Sequence, residues 1–168
     1  MYHLPEFREK DPAKVMEFIY QHPFAMLCGC DAQQQPVATQ VPVLAEEREG
    51  RLWLRGHVMR QTDHHKAFLQ NDQVLCIFTG AHTYVSASMY TQQQTGSTWN
   101  YMSVHARGRL RFLDEASLLD ILQRTTNHFE NNPASPSNFE HLPKEYVDRL
   151  SKAIAGFEIE VTSLGNVF

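Results

Sequence analysis

Between residues 24 and 57 the chain offers three apolar or alternating segments and no helical run to separate them. Phe24 to Cys30 is short and apolar, and Asp31 to Gln35 is a polar turn. Pro36 to Leu44 then alternates, with Val37, Thr39, Val41 and Val43 on one face. The charged stretch Glu46-Glu47-Arg48-Glu49-Gly50 reads as a second turn. Arg51 to His57 follows as a third strand, with Leu52, Leu54 and Gly56 on one side and Trp53, Arg55 and His57 on the other. Strands joined so closely pair antiparallel, because a parallel crossover needs a dozen residues or more. A doubly wound parallel fold, with a helix after almost every strand, is excluded.

The rest of the chain adds helices at the start, once in the middle and near the end. Asp11-Pro12 opens a helix: Asp can cap the free N–H groups and Pro fits the first turn. Val15, Phe18, Ile19 and His22 recur at helical spacing until Pro23 stops the run. Thr62 or Asp63 can cap a short helix through Phe68 and Leu69. Val74 to Phe78 is a strongly apolar strand, and Thr83 to Met89 is expected as its hairpin partner across a tight turn at Gly80. Gln92 to Gly96 is a polar loop. Trp99 to Leu113 is a long strand, expected to bend at Gly108. Asp114 caps a helix carrying Leu118, Leu119, Ile121, Leu122 and Phe129. After a loop over 131–138, Pro143 to Ala155 reads as a helix closed by Gly156, and Phe157, Ile159 and Val161 alternate in a last strand. The economical architecture is mainly β with flanking helices: one antiparallel barrel domain over residues 1–168.

Composition narrows the function classes. A net charge of −4 argues against a broad electrostatic grip on nucleic acid, so direct nucleic-acid binding is not expected. No apolar run reaches the length of a membrane span, and Met1 to Phe7 lacks a basic stretch followed by an apolar one. A cytoplasmic location without membrane contact is the expectation. Three cysteines, Cys28, Cys30 and Cys76, do not suggest a disulfide framework. Cys28 and Cys30 share a strand face and read as small residues filling a core.

Several constellations could carry chemistry. The run from Arg55 to Lys66 passes from a strand end into a helix start. Arg55, His57, Arg60 and Lys66 supply donors there, beside the free N–H groups and positive dipole end of the helix. That combination suits a phosphate, although a solvated basic turn has the same composition. Thr98-Trp99-Asn100-Tyr101 sets an aromatic plane beside an amide and hydroxyls, which suits a flat heterocycle, although Trp99 alone also fits a core position. Tyr84 and Ser86 are expected on one strand face. Arg107, Arg109 and Arg111 alternate and read as a solvated face. The spacing of His57, His64, His65 and His82 matches no standard zinc pattern, so no metal is expected. No nucleophile elbow, Walker sequence or dinucleotide-binding glycine motif is present, so no catalytic residue is assigned.

These residues stand in an order that resembles the PaiB family of FMN-binding negative transcriptional regulators. The likeness runs from Met1-Tyr2 and Pro5 through Gly56-His57-Val58, Arg60, Gly80 and Tyr84-Val85-Ser86. It is sharpest at Thr98-Trp99-Asn100-Tyr101, Val104-His105 and Gly108-Arg109-Leu110, and it continues to Gly156-Phe157-Glu158-Ile159. The resemblance implies an antiparallel split β-barrel related to the pyridoxamine-phosphate oxidase fold, a homodimer, and flavin sites at the subunit interface. It implies FMN as cofactor, with phosphate contacts at His57, Arg60 and Lys66. Ring and ribityl contacts are implied at Tyr84, Ser86, Thr98, Trp99 and Asn100. Thr62-Asp63 stands where the family carries Asn-Pro, and the family's basic ending is not found before Val167-Phe168, so weakened flavin affinity is an expectation. A regulatory or redox-sensing role is the first reading. A flavin-dependent oxidoreductase and a cofactor-free interaction module are the alternatives.

Overall fold

The computed structural model describes residues 4–92 and 94–168. The elements in chain order are α1 (Pro12–Gln21), β1 (Phe24–Cys30), β2 (Pro36–Pro42), β3 (Leu44–Arg48) and β4 (Arg51–Met59). They continue as α2 (Asp63–Gln70), β5 (Gln73–Val85), β6 (Thr98–Phe112), α3 (Glu115–Glu130), α4 (Lys144–Ser151) and β7 (Ile154–Val167). The strands form one seven-stranded antiparallel sheet in the order β2-β1-β5-β6-β7-β4-β3.

β2 and β3 lie at opposite edges of this sheet, yet only Val43 separates them in sequence. The sheet must therefore roll until its two edges meet. Val43 is 2% exposed and donates its N–H to the Pro23 carbonyl (2.8 Å), which pins the corner. Leu27, Leu54, Phe78, Val104, Phe157 and Ile159 fill the interior, all fully buried. α1 supplies Val15, Phe18 and Ile19 to the same core.

The caps expected from sequence form. Asp11 accepts from the Ala13 N–H (2.9 Å), Thr62 from His65 (3.3 Å) and Asp114 from Ser117 (2.9 Å). The register of β6 against β7 shifts between Arg107 and Gly108, and the extra residue is Thr162 of β7. Backbones approach so closely there that a Cβ on Gly108 would lie 2.3 Å from the Glu160 carbonyl oxygen.

Four expectations are corrected. Residues 36–44 are not one strand: the chain turns the corner at Val43, and the charged stretch read as a turn forms β3, paired residue for residue with β4. Its charges are tolerated because ion pairs with neighbouring arginines meet them, described below. Second, Gly80 makes no turn. β5 runs unbroken from Gln73 to Val85, and a bulge between Thr79 and His82 takes up the irregularity while Gly80 lets the Phe18 ring pack against the strand. Third, the helix begun near Pro143 ends at Ser151, and β7 starts at Ile154, so Gly156 is a strand residue. Fourth, Ala25 and Leu27 take the core face of β1, which leaves Cys28 and Cys30 half-buried on the other face; Cys76 is the core cysteine. The loop at Gln92 to Gly96 has no regular structure on either side of Gln93, which lies outside the described residues, as do Met1 and Tyr2.

Gly108→Ala should destabilise the fold by about 1–3 kcal/mol, because the new methyl meets backbone that cannot rotate away. A denaturant midpoint unchanged from the wild type would contradict this packing.

Candidate functional site

Two separate regions carry the residues of interest, and they lie at opposite ends of β6. The first surrounds the start of α2. Strand β4 leaves the sheet at Met59, and Arg60 anchors the exit: its backbone N–H donates to the Ala153 carbonyl (2.9 Å) and its Nε–H to the Ile154 carbonyl (2.7 Å). Lys66 is exposed one turn into α2. Among the described residues, neither Arg60 nor Lys66 forms an ion pair, so both charges are free for an anion.

Between these two cations lies His65, which is 6% exposed and packs its ring on Phe112 (centroids 4.9 Å apart). Burial, and then the charges of Arg60, His64 and Lys66, push its imidazole below the ordinary histidine range. Its Nδ1 is buried and has no partner among the described residues. Sequence reading weighed His65 only as a metal ligand. The signal that could have raised it is its place between two cations one turn inside a capped helix.

Arg55 and His57 behave differently from the expectation. Both point to the face of β4 covered by α3, and there Arg55 is consumed structurally. It is 9% exposed, and its Nη1 donates to Asp120 Oδ2 of α3 (2.7 Å). Arg55 therefore belongs to a charged layer rather than to a phosphate corner. In that layer Glu158, only 2% exposed, accepts from Arg48 Nη1 (3.0 Å) and Arg111 Nε (2.6 Å), while Glu46 accepts from Arg48 and from Arg124 Nη1 (3.0 Å). Burial opposes the charge on Glu46, but the flanking Arg48 and Arg124 hold its carboxyl below the usual range. Of the arginine row on β6, Arg109 pairs with Asp72 (3.2 Å) and Arg111 with Glu158; all three arginines stay exposed to solvent, as their alternation suggests.

His57 is half-buried, and its Nδ1 has no partner among the described residues. Burial pushes its imidazole below its ordinary value of 6.5, so the ring is held neutral and can serve an anion only as an N–H donor.

The second region is a cavity of about 580 Å³ at the other end of β6. β7 stops at Val167, opposite Ser103, and among the described residues leaves 98–102 of β6 as a free edge. Trp99, His82, Phe7, Met102 and Phe168 line the space, with Thr98 and Asn100 along its rim. Trp99 is 56% exposed and Tyr84 is 57% exposed, which rules out the core reading of Trp99. Trp99 stands opposite Tyr84 in the ladder, and their rings are 6.0 Å apart. Asn100 points to the other face of the strand, so ring and amide can serve one ligand only around the free edge. Ser86 has left β5 altogether; it accepts from the Ser88 N–H (3.2 Å) and caps a short turn. It does not continue the face of Tyr84.

Both regions suit parts of a flavin nucleotide. Free cations beside a capped helix start and an orphaned imidazole nitrogen fit a phosphate. An open aromatic cavity with hydrogen-bonding groups at its rim fits a planar heterocycle. The neutral His57 also predicts a pH response. Its depressed folded value means that the unfolded chain binds the proton more readily, so stability should fall as pH drops below about 6.5. His57→Gln should make that decline shallower in denaturation measured from pH 7.5 to 5; an identical slope would contradict the burial.

Residues 1–163 match the model of a family described as "Putative FMN-binding domain". The chain is 25% identical over 164 residues to the protease synthase and sporulation protein PAI 2 of Bacillus subtilis, covering 98% of this chain and 78% of that protein. Among solved structures it is similar to the flavocytochrome Anf3 of Azotobacter vinelandii (TM-score 0.67, 18% identity, 99% of this chain and 71% of that one). It is also similar to a Listeria innocua protein described as "Putative Pyridoxamine 5'-phosphate oxidase" (TM-score 0.55, 11% identity, 92% and 95%). These last two likenesses concern the fold, a split barrel of the pyridoxamine-phosphate oxidase type. With a match over residues 1–163 of 168, the chain belongs to the FMN-binding domain family.

Proposed function

We propose that two copies of this chain bind FMN between them, and that the pair has a regulatory or redox-sensing role. The phosphate would lie at Arg60 and Lys66 of one copy, with His57 as a neutral donor nearby. The ring would lie in the aromatic cavity of the other copy, against Trp99, with Tyr84, Thr98 and Asn100 around it. Ser86 would act by shaping the loop that follows Tyr84.

One observation carries the two-copy arrangement. His57 pairs with Gly156, and Phe157 pairs with Phe112, so the basic corner sits at the C-terminal end of β6. The aromatic cavity sits at the N-terminal end of the same strand. From Trp99 to Phe112 the contour is roughly 40 Å at about 3.3 Å per residue, farther than one mononucleotide reaches. A single copy therefore offers two half-sites for such a ligand, and a second copy can complete them. Bound FMN would bring the redox chemistry, while the chain's own side chains bind, orient and tune it.

FMN titration of the purified protein tests this reading. Arg60→Ala should weaken binding roughly 10- to 100-fold, the equivalent of about 1.5–3 kcal/mol for a charged hydrogen bond. A wild-type protein with no flavin absorbance and no FMN binding would overturn the proposal. Sustained oxidation of a reduced nicotinamide across a panel of acceptors would make the protein a reductase instead of a sensor.

A further inference from the structure

The aromatic cavity contains one side chain whose hydrogen-bonding role is already decided by its neighbour. Trp99 Nε1–H donates to His82 Nδ1 (3.3 Å), and the two rings stack with centroids 5.8 Å apart and 27° between planes. An indole nitrogen can only donate. His82 Nδ1 must then accept, so in the neutral imidazole the proton resides on Nε2. Among the described residues Nε2–H has no acceptor. The result is a donor of fixed identity on a ring that lines the cavity.

His82 occupies this position because of the bulge in β5. The register against β6 shifts between Thr79 and His82, and the ladder resumes with His82 opposite Tyr101. The bulge sets which residues of the outer part of β5 share a face with Trp99. His82 and Tyr84 do so, two residues apart. The irregularity that sequence reading took for a turn at Gly80 therefore aims an imidazole donor at the same space as the indole plane.

We infer that His82, held by Trp99, donates its Nε2–H to an acceptor atom on the edge of the bound heteroaromatic ring and thereby raises that ring's reduction potential. This inference rests on the flavin reading above. The chemistry is general. Reduction adds electron density to the ring, and a fixed donor stabilises the more basic, reduced acceptor more than the oxidised one. A donor that needed to choose between tautomers would pay for that choice on each reduction. Trp99 makes the choice in advance.

The test compares the FMN midpoint potential in wild type, His82→Phe, His82→Gln and Trp99→Phe, alongside FMN affinity. His82→Phe keeps a ring for stacking but has no donor; the preference for the reduced form should fall about tenfold, which is about 30 mV for a two-electron couple. His82→Gln has both an acceptor for Trp99 and a donor for the ligand, and should restore most of the potential. Trp99→Phe frees the tautomer and should lower the potential in the same direction as His82→Phe. His82 is exposed, so these variants are expected to fold, and an unchanged thermal midpoint confirms it. If His82→Phe binds FMN with an unchanged potential, or weakens oxidised and reduced FMN equally, the role of His82 is overturned while the flavin reading stands. If the wild type binds no FMN at all, both fall.

Discussion

A single residue joins the two edges of the sheet. β2 ends at Pro42 and β3 begins at Leu44, yet these strands are the first and last in a row of seven. No flat or gently twisted sheet satisfies that connection. The sheet must curl until these edges approach at the corner, and the apolar residues at alternate positions of β1, β4, β5, β6 and β7 then face one another as a core. The buried Val43, with its N–H on the Pro23 carbonyl, is where this closure is fixed. Once the barrel is closed, β6 is left with β5 on one side and β7 on the other, and both candidate regions are placed by where those neighbours end. The aromatic cavity opens where β7 stops. The basic corner forms where β4 and β7 part and the chain enters α2.

Closure also explains the charged layer under α3. Rolling the sheet brings β3, β4, β7 and β6 into a row whose outward faces carry Glu46, Arg55, Glu158 and Arg111. A carboxylate as buried as Glu158 is costly unless paired, and it is met by arginines from two different strands. Removing one partner would leave charge stranded, so this layer specifies how α3 seats on the barrel. It also removes Arg55 from any role in binding an anion.

The fold class was legible in the sequence because the first strands follow one another without helices and because Asp11, Thr62 and Asp114 announce helix starts. What failed did so for local reasons. Glu46 to Gly50 has the composition of a turn, and only arginines distant in sequence make it a strand. The bulge near Gly80 looks like a hairpin because Gly and small residues mark both. The end of α4 was misplaced because Gly156 fits a helix stop as well as a strand lying close under another element. For the candidate site, the residue types were legible but the spatial grouping was not. Trp99 and Asn100 are adjacent in sequence and point to opposite faces. Neither the orphaned Nδ1 of His65 nor the tautomer lock on His82 has a signature in sequence.

The central claim is that each flavin site is built from two copies of the chain, the phosphate corner from one and the aromatic cavity from the other. Mixing Arg60→Ala protein with Trp99→Ala protein tests it most directly. In a mixed dimer one site would carry both defects and the other none. The account predicts that FMN binding, weak in either variant alone, reappears at wild-type affinity in one site of each mixed dimer after subunit exchange. If mixing restores nothing while the subunits are shown to exchange, each site lies within one chain and the account is wrong.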